Sequence, residues 1–149
     1  MHNGIFGGTF NPPHKGHKRM ALEMMKAASL DKILIIPTFT PPHKTAPDLA
    51  TGKDRVKMCE LLFSEECFTV TDIELQRKGK SYTVDTLSEL KKIYPDDEFF
   101  LIIGSDMLLT FHQWRKPFEI LSMAKLCVAT RENGISPEAL SAYAKETLK

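Results

Sequence analysis

Gly4-Ile5-Phe6-Gly7-Gly8-Thr9-Phe10-Asn11-Pro12-Pro13-His14-Lys15-Gly16-His17 is the stretch on which the reading of this chain turns. Residues 4–6 make a short apolar strand, and two glycines follow it at once. Glycine after a strand lets backbone N–H groups approach a phosphate closely. His14 and His17 then stand at the mouth of a helix, where unpaired N–H groups and the positive end of the helix dipole face an anion. Imidazole N–H donors at that place suit charge developing on a phosphate. A glycine turn with two surface histidines is the plainer alternative, and the segment alone leaves both open. It has neither the Gly-Lys-Ser/Thr end of a Walker loop nor the G-x-G-x-x-G of a dinucleotide fingerprint. Two histidines could begin a zinc site, but no other His or Cys is spaced to complete a shell, so no metal centre is expected.

Outward from this turn, short apolar runs alternate with helical patterns. Strands are expected at 33–36, stopped by Pro37, at 68–70, at 99–103, ended by Gly104, and at 126–129. Helices are expected at 18–28, with Met20, Ala21, Met24, Met25 and Ala28 on the apolar side, and at 55–64, with Val56, Met58, Cys59, Leu62 and Phe63 available for packing. A third helix is expected at 82–93, with Val84, Leu87, Leu90 and Ile93 as its stripe. Residues 38–51 read as a loop rich in Pro and Thr, and 72–80 as a polar connection turning at Gly79. Short helices near 108–112 and 118–122, and a last one at 137–148 with Pro137 in its first turn, complete the pattern.

Each strand is a nearly unbroken apolar run, which indicates a parallel sheet covered on both faces. The expected architecture is a Rossmann-like, doubly wound α/β fold with strand order 3-2-1-4-5, in one domain spanning residues 1–149. Ligands of such sheets sit beyond the carboxyl ends of the strands, at the switch point. Strands one and four are neighbours there. The loops that follow them, 7–17 and 104–114, are chemically the most unusual in the chain.

Composition narrows the function classes. The 149 residues carry 20 basic and 19 acidic side chains, so no broad positive field argues for nucleic acid, and anion binding has to be local. No apolar run reaches membrane-spanning length, and no membrane partner is expected. Cys59, Cys67 and Cys127 are odd in number and widely spaced, which fits reduced thiols in a cytoplasmic protein.

The opening segment resembles the H-x-G-H signature of the nucleotidyl transferase superfamily. Its lead, Gly7-Gly8-Thr9-Phe10-Asn11-Pro12, is similar to the G-G-T-F-D-P of bacterial nicotinate-nucleotide adenylyltransferases, with Asn11 where that lead has Asp. The resemblance implies adenylyl transfer from ATP to nicotinate mononucleotide, with Mg²⁺ accompanying the ATP. His14 and His17 would contact the ATP phosphates as catalytic groups, and Gly7, Gly8, Thr9 and Phe10 would line the adenylate. Gly104 and Asp106 belong to a G-x-D segment that contacts ribose in this family. An aspartate at a strand end can accept from both ribose hydroxyls.

Three further motifs follow in family order. Pro41-Pro42-His43-Lys44 is a stiffened loop with two phosphate-capable donors, and an exposed basic loop explains it equally well. By resemblance, His43 and Lys44 lie beside the acceptor phosphate. Ser81-Tyr82-Thr83-Val84-Asp85-Thr86 opens a helix, with Ser81 suited to cap it and Asp85 to its dipole. The resemblance adds that the Thr83 region holds the nicotinate carboxylate. Trp114 would stack on the pyridine ring, against the commoner fate of core packing. Arg55, starting a helix, is a weaker candidate, with a place on a solvated face as the plainer alternative. Arg131, after the fifth strand, is an equal match to a phosphate contact or a surface arginine.

Family members continue to a sixth strand and an I-S-S-T-x-I-R segment that binds the ATP phosphates; Ile135-Ser136-Pro137 is not that motif, so the domain is expected to lack it. Pantetheine-phosphate adenylyltransferase shares the histidine loop and is the nearest competing activity. A non-catalytic nucleotide-binding module and a purely structural interaction domain are the others.

Overall fold

The computed structural model describes residues 1–8, 10, 12–38, 51–76, 82–104 and 110–129. In chain order the elements are β1 (His2–Gly8), α1 (Lys15–Ala27), β2 (Lys32–Pro37), α2 (Gly52–Leu62), β3 (Phe68–Val70), α3 (Ile73–Gln76), α4 (Thr83–Ile93), β4 (Glu98–Gly104), a 3₁₀ turn (Phe111–Gln113), α5 (Pro117–Met123) and β5 (Ala124–Ala129). Among the described residues the five strands form one sheet in the order β3-β2-β1-β4-β5. Every neighbouring pair is parallel. The doubly wound arrangement expected from the sequence is therefore present.

Alternation within the apolar runs decides what each side of the sheet packs against. Ile5, Leu34, Ile36, Phe99, Leu101 and Ile103 point to one face, where Val84, Leu87 and Leu90 of α4 and Ile120 of α5 meet them. Phe6, Ile33, Ile35, Phe100 and Ile102 point to the other, against Ala21 of α1, Cys59 of α2 and Phe63 beyond it. The crossovers explain this. The helices joining β1, β2 and β3 lie on one side, and those around β4 on the other, so the winding reverses between β1 and β4.

The amino edge of the sheet is tied by Asp97. Its carboxylate takes Lys32 Nζ at 3.2 Å, the N-terminal ammonium at 3.4 Å and the amide of buried Asn3 at 3.4 Å. Burial alone would raise the Asp97 pKa, but Lys32 and the N-terminus outweigh it and hold the carboxyl below its ordinary value. This tether leaves the carboxyl edge to the loops.

Several elements differ from expectation. β1 and α1 begin earlier than the apolar pattern suggests, and α2 opens at Gly52 with Thr51 as its cap, the hydroxyl accepting from Asp54 N–H at 3.2 Å. Pro37 does not stop β2 short: it is the last residue of the strand and pairs with Gly8. The connection after β3 contains a helical turn, Ile73–Gln76, whose first two residues are buried. Ile93 ends α4 at 58% exposure, so the apolar stripe closes at Leu90. The last helix expected from the sequence, at 137–148, lies outside the described residues, as does Ser81.

The core on the α2 side holds a titratable thiol. Burial pushes the Cys59 pKa from 9.0 up to about 12, with the nearby Arg55 charge pulling the other way. A folded-state pKa above the unfolded one favours the native state fully below the unfolded value and loses that contribution as pH rises toward the folded value. Between pH 9 and about 12 the unfolded chain ionises Cys59 while the native chain does not. The unfolding free energy of the parent, read from urea titrations, should therefore fall relative to Cys59→Ala over that window, by up to about 1.4 kcal/mol per pH unit. Parallel pH profiles for the two proteins would contradict this.

Candidate active site

Parallel pairing of β1 with β4 and of β1 with β2 sends the turns after all three strands to one edge. There the chain after β1 does something unusual with its histidines. His14 sits in extended backbone, φ −142° and ψ 172°, and is the N-cap of α1. Its Nδ1 accepts the Gly16 N–H at 3.1 Å. His17, three positions on, returns the arrangement: its Nδ1 accepts the His14 N–H at 3.0 Å. This is a capping box made of imidazoles in place of Ser/Thr and Glu. The two rings stack, with centroids 3.8 Å apart and planes 27° from parallel.

The capping decides the tautomer. Each Nδ1 is an acceptor, so in the neutral ring the proton resides on Nε2. Both imidazoles thus carry an N–H donor on the nitrogen turned away from the helix backbone. The first turn of α1 has no acidic residue, whereas the first turns of α2, α4 and α5 carry Asp54, Asp85 and Glu119. The other helices neutralise their positive ends from within, and the first turn of α1 carries no carboxylate that does so.

Two glycines are explained by what a side chain would strike. A Cβ on Gly16 would lie 2.9 Å from His14 Cε1 and 3.0 Å from its Nδ1, so glycine lets the capping ring close onto the first turn. A Cβ on Gly8 would meet the Phe10 ring at 3.4 Å. Gly8 also accepts the Thr38 N–H at 2.9 Å, which joins the exits of β1 and β2.

Arg55 is the largest departure from the sequence reading. It does not belong to a solvated face: it is 1% exposed, and its guanidinium donates to the Thr38 carbonyl. Burial lowers its pKa, with a small opposing effect of Cys59, yet an arginine starts so high that it stays charged. The signal was in the sequence, because Arg55, Cys59 and Phe63 share one helical face at i, i+4 and i+8. The apolar count simply passed over a charged residue. Glu74, which the sequence reading also missed, is 7% exposed and accepts from the Thr86 hydroxyl at 2.8 Å. That bond fastens the first turns of α4 to α3.

Thr83 is half-buried as the first residue of α4, and Tyr82 before it caps the helix without a side-chain bond. The Arg115 guanidinium covers the Tyr82 ring at 4.8 Å, drawing the segment after β4 to the opening of α4. Trp114 beside it is half-buried, neither core nor free, and leans on buried Phe111 at 5.0 Å. The structure therefore assembles two groups. His14, His17, Phe10 and Gly8 lie on the Phe6 side of the sheet; Thr83, Tyr82, Arg115 and Trp114 lie on the Leu101 side. Gly8 and Gly104 end the adjoining strands between them, with Gly7 one residue before the end of β1. Thr9, His43, Lys44, Asp106 and Arg131 lie outside the described residues. Among the described residues there is no group of three or more His, Cys, Asp or Glu side chains placed to hold a metal ion. No helix among them is long and apolar enough to cross a membrane.

A family model described as cytidylyltransferase-like matches residues 5–147, and the chain belongs to that family. Within it, the chain is similar to proteins named nicotinate-nucleotide adenylyltransferase. The nicotinate-nucleotide adenylyltransferase of Bacillus subtilis is 46% identical over 121 residues, 80% of this chain and 64% of that protein. The probable nicotinate-nucleotide adenylyltransferase of Aquifex aeolicus is 41% identical over 143 residues, 95% of this chain and 83% of the relative. A Plasmodium falciparum nicotinic acid mononucleotide adenylyltransferase solved with NaAD superposes with a TM-score of 0.81 over 95% of this chain and 70% of its own, at 17% identity, a likeness of fold. The chain spans about three fifths of the length of several relatives, 59% of one and 64% of another.

Gly16→Ala tests the capping geometry. Alanine favours an ordinary helix interior over glycine by about 1 kcal/mol. Here it should give no such gain, because the new Cβ displaces the His14 ring. Urea unfolding should show unchanged or lower stability, and the His14 imidazole resonances should shift. A stabilised variant with unmoved resonances would refute the steric account.

Proposed function

We propose that the protein to which these residues belong transfers the adenylyl group of ATP to nicotinate mononucleotide, giving nicotinate adenine dinucleotide and pyrophosphate in NAD biosynthesis. We further propose that residues 1–149 act as one nucleotidyl transferase domain. The observation that carries the reading is the paired imidazole cap on an acid-free helix N-terminus at the β1–β4 switch. The relatives' printed activity supports it.

In the proposed reaction a phosphate oxygen of the mononucleotide attacks the α-phosphorus of ATP in line. The new phosphorus–oxygen bond forms as the bond to the bridging β-phosphate oxygen breaks, and pyrophosphate leaves with the electron pair. The attacking group is already an anion, so no protein nucleophile is required. Positioning and charge stabilisation do the work. The Nε2–H donors of His14 and His17 serve the phosphates, and Gly7, Gly8, Thr9 and Phe10 line the adenylate. Gly104 and Asp106 serve the ATP ribose. His43, Lys44 and Arg131 are assigned to the acceptor phosphate, Asp106 also to the acceptor, Thr83 to the nicotinate carboxylate and Trp114 to the pyridine ring. A ligand so held would straddle the carboxyl edge, with its triphosphate end on the α1 side and its pyridine end on the α4 side. Mg²⁺ is proposed to enter with the triphosphate, where it would neutralise charge on the phosphate oxygens and keep most of its ligands as phosphate and water.

Pyrophosphate release with ATP and nicotinate mononucleotide is the direct test, with phosphopantetheine as the competing acceptor. Turnover of phosphopantetheine alone, or nucleotide binding without turnover, would overturn the proposal. His17→Ala is expected to lower kcat by about 10²-fold or more, as loss of one oriented donor does elsewhere; a loss under tenfold would remove His17 from the catalytic set. Trp114→Ala should raise KM for the mononucleotide by roughly 3–10-fold, the worth of one aromatic stack, and leave KM for ATP within about twofold. Equal effects on both substrates would argue for a packing role.

A further inference from the structure

We propose that the Phe10 side chain is a positioning residue for His17, fixing the angle at which that imidazole presents its Nε2–H to the transferred phosphate. The proposal rests on the reading of His17 as a phosphate donor. The residue is unusual in two ways at once. Phe10 has φ 49°, in the left-handed region that bulky side chains avoid, and it is only 3% exposed. A backbone outlier of this kind persists where its surroundings over-determine it, and such residues gather at functional sites. If the turn had only to reverse direction, glycine or asparagine would serve it without strain. What the left-handed conformation gains here is a ring driven inward, between strand and helix.

The ring meets three partners edge-on. Phe6 of β1 lies at 5.5 Å and 79°, Phe63 after α2 at 6.2 Å and 74°, and His17 at 5.0 Å and 74°. It also covers Gly8, whose missing side chain leaves room for it. The final χ angle of a histidine is broad, so the rings packed around it bear on its plane. Around His17, the backbone N–H of His14 holds Nδ1, the His14 ring covers one face and the Phe6 ring lies at 6.2 Å and 62°. Phe10 closes a further direction by meeting the ring nearly at a right angle. Because Phe10 is wedged against β1 and the end of α2, the angle of the imidazole is referred to the sheet itself and not only to its own helix.

The test compares the parent chain with Phe10→Leu, which keeps apolar volume, and Phe10→Gly, which relieves the backbone while removing the ring. Nuclear Overhauser spectra report the placement of the His17 ring whether or not the chain turns over. In both folded variants the contacts of the His17 ring with the His14 and Phe6 rings should weaken or average, while the contact of His2 with Phe100 stays fixed. With ATP and nicotinate mononucleotide, kcat should fall about tenfold or more and the KM for nicotinate mononucleotide should stay within about twofold, as expected when a donor is misplaced. Recovery of kcat in Phe10→Gly would show that only the strained backbone mattered, and an unmoved His17 spectrum in folded Phe10→Leu would show the same; either result overturns the proposal. A parent chain without turnover would instead sink the functional reading, and the spectra would still decide whether Phe10 sets the ring.

Discussion

The N–H groups that open an α-helix must find acceptors, and in α1 two imidazoles supply them. That single constraint ties folding to chemistry at this edge. A serine or aspartate cap would satisfy the backbone and leave nothing to offer a ligand, and an acidic cap would also cancel the dipole. Imidazoles satisfy the helix with one nitrogen and keep a donor on the other. Gly16 exists to let the first ring close, and Gly8 and Phe10 shape the turn that delivers the second.

The rest of the structure brings that turn to the switch point and keeps it there. Alternation along β1, β2 and β4 buries large side chains on both faces, so the sheet cannot slip register by one residue without exchanging its two cores. Asp97 fastens the opposite edge, where no ligand chemistry is proposed. Among the described residues, the bonds that hold the carboxyl edge include Thr38 N–H to Gly8 and Arg55 to the Thr38 carbonyl.

Buried charge is concentrated near this edge. Arg55 and Glu74 are the only buried charged residues among those described, and each fixes a segment next to the proposed site: Arg55 the exit of β2, Glu74 the start of α4. Burying a charge is costly unless it is hydrogen-bonded, so such groups are weak stabilisers and strong specifiers of position. They hold the chain where it leaves regular structure, at the points from which the proposed acceptor loop and the helix proposed to hold the nicotinate depart.

Strand positions, the doubly wound order and the placing of two histidines at the mouth of α1 were legible in the sequence, because apolar runs and glycine–histidine spacing are local patterns. So was the stripe Val84, Leu87 and Leu90, which is buried as its period requires. What the tertiary structure alone decided were relations between distant or unlike residues. Arg55 is core because it finds a carbonyl from another element, which no periodicity of apolar residues reports. The short helix at Ile73–Gln76 exists because Ile73 and Glu74 bury against neighbours supplied by α4 and the sheet. The tautomer of His14 and His17, and the inward drive of Phe10, follow from hydrogen bonds and ring contacts that form only once strand, turn and helix are in place. Spacing determined which groups gather at the edge; packing determined which atom each one turns outward.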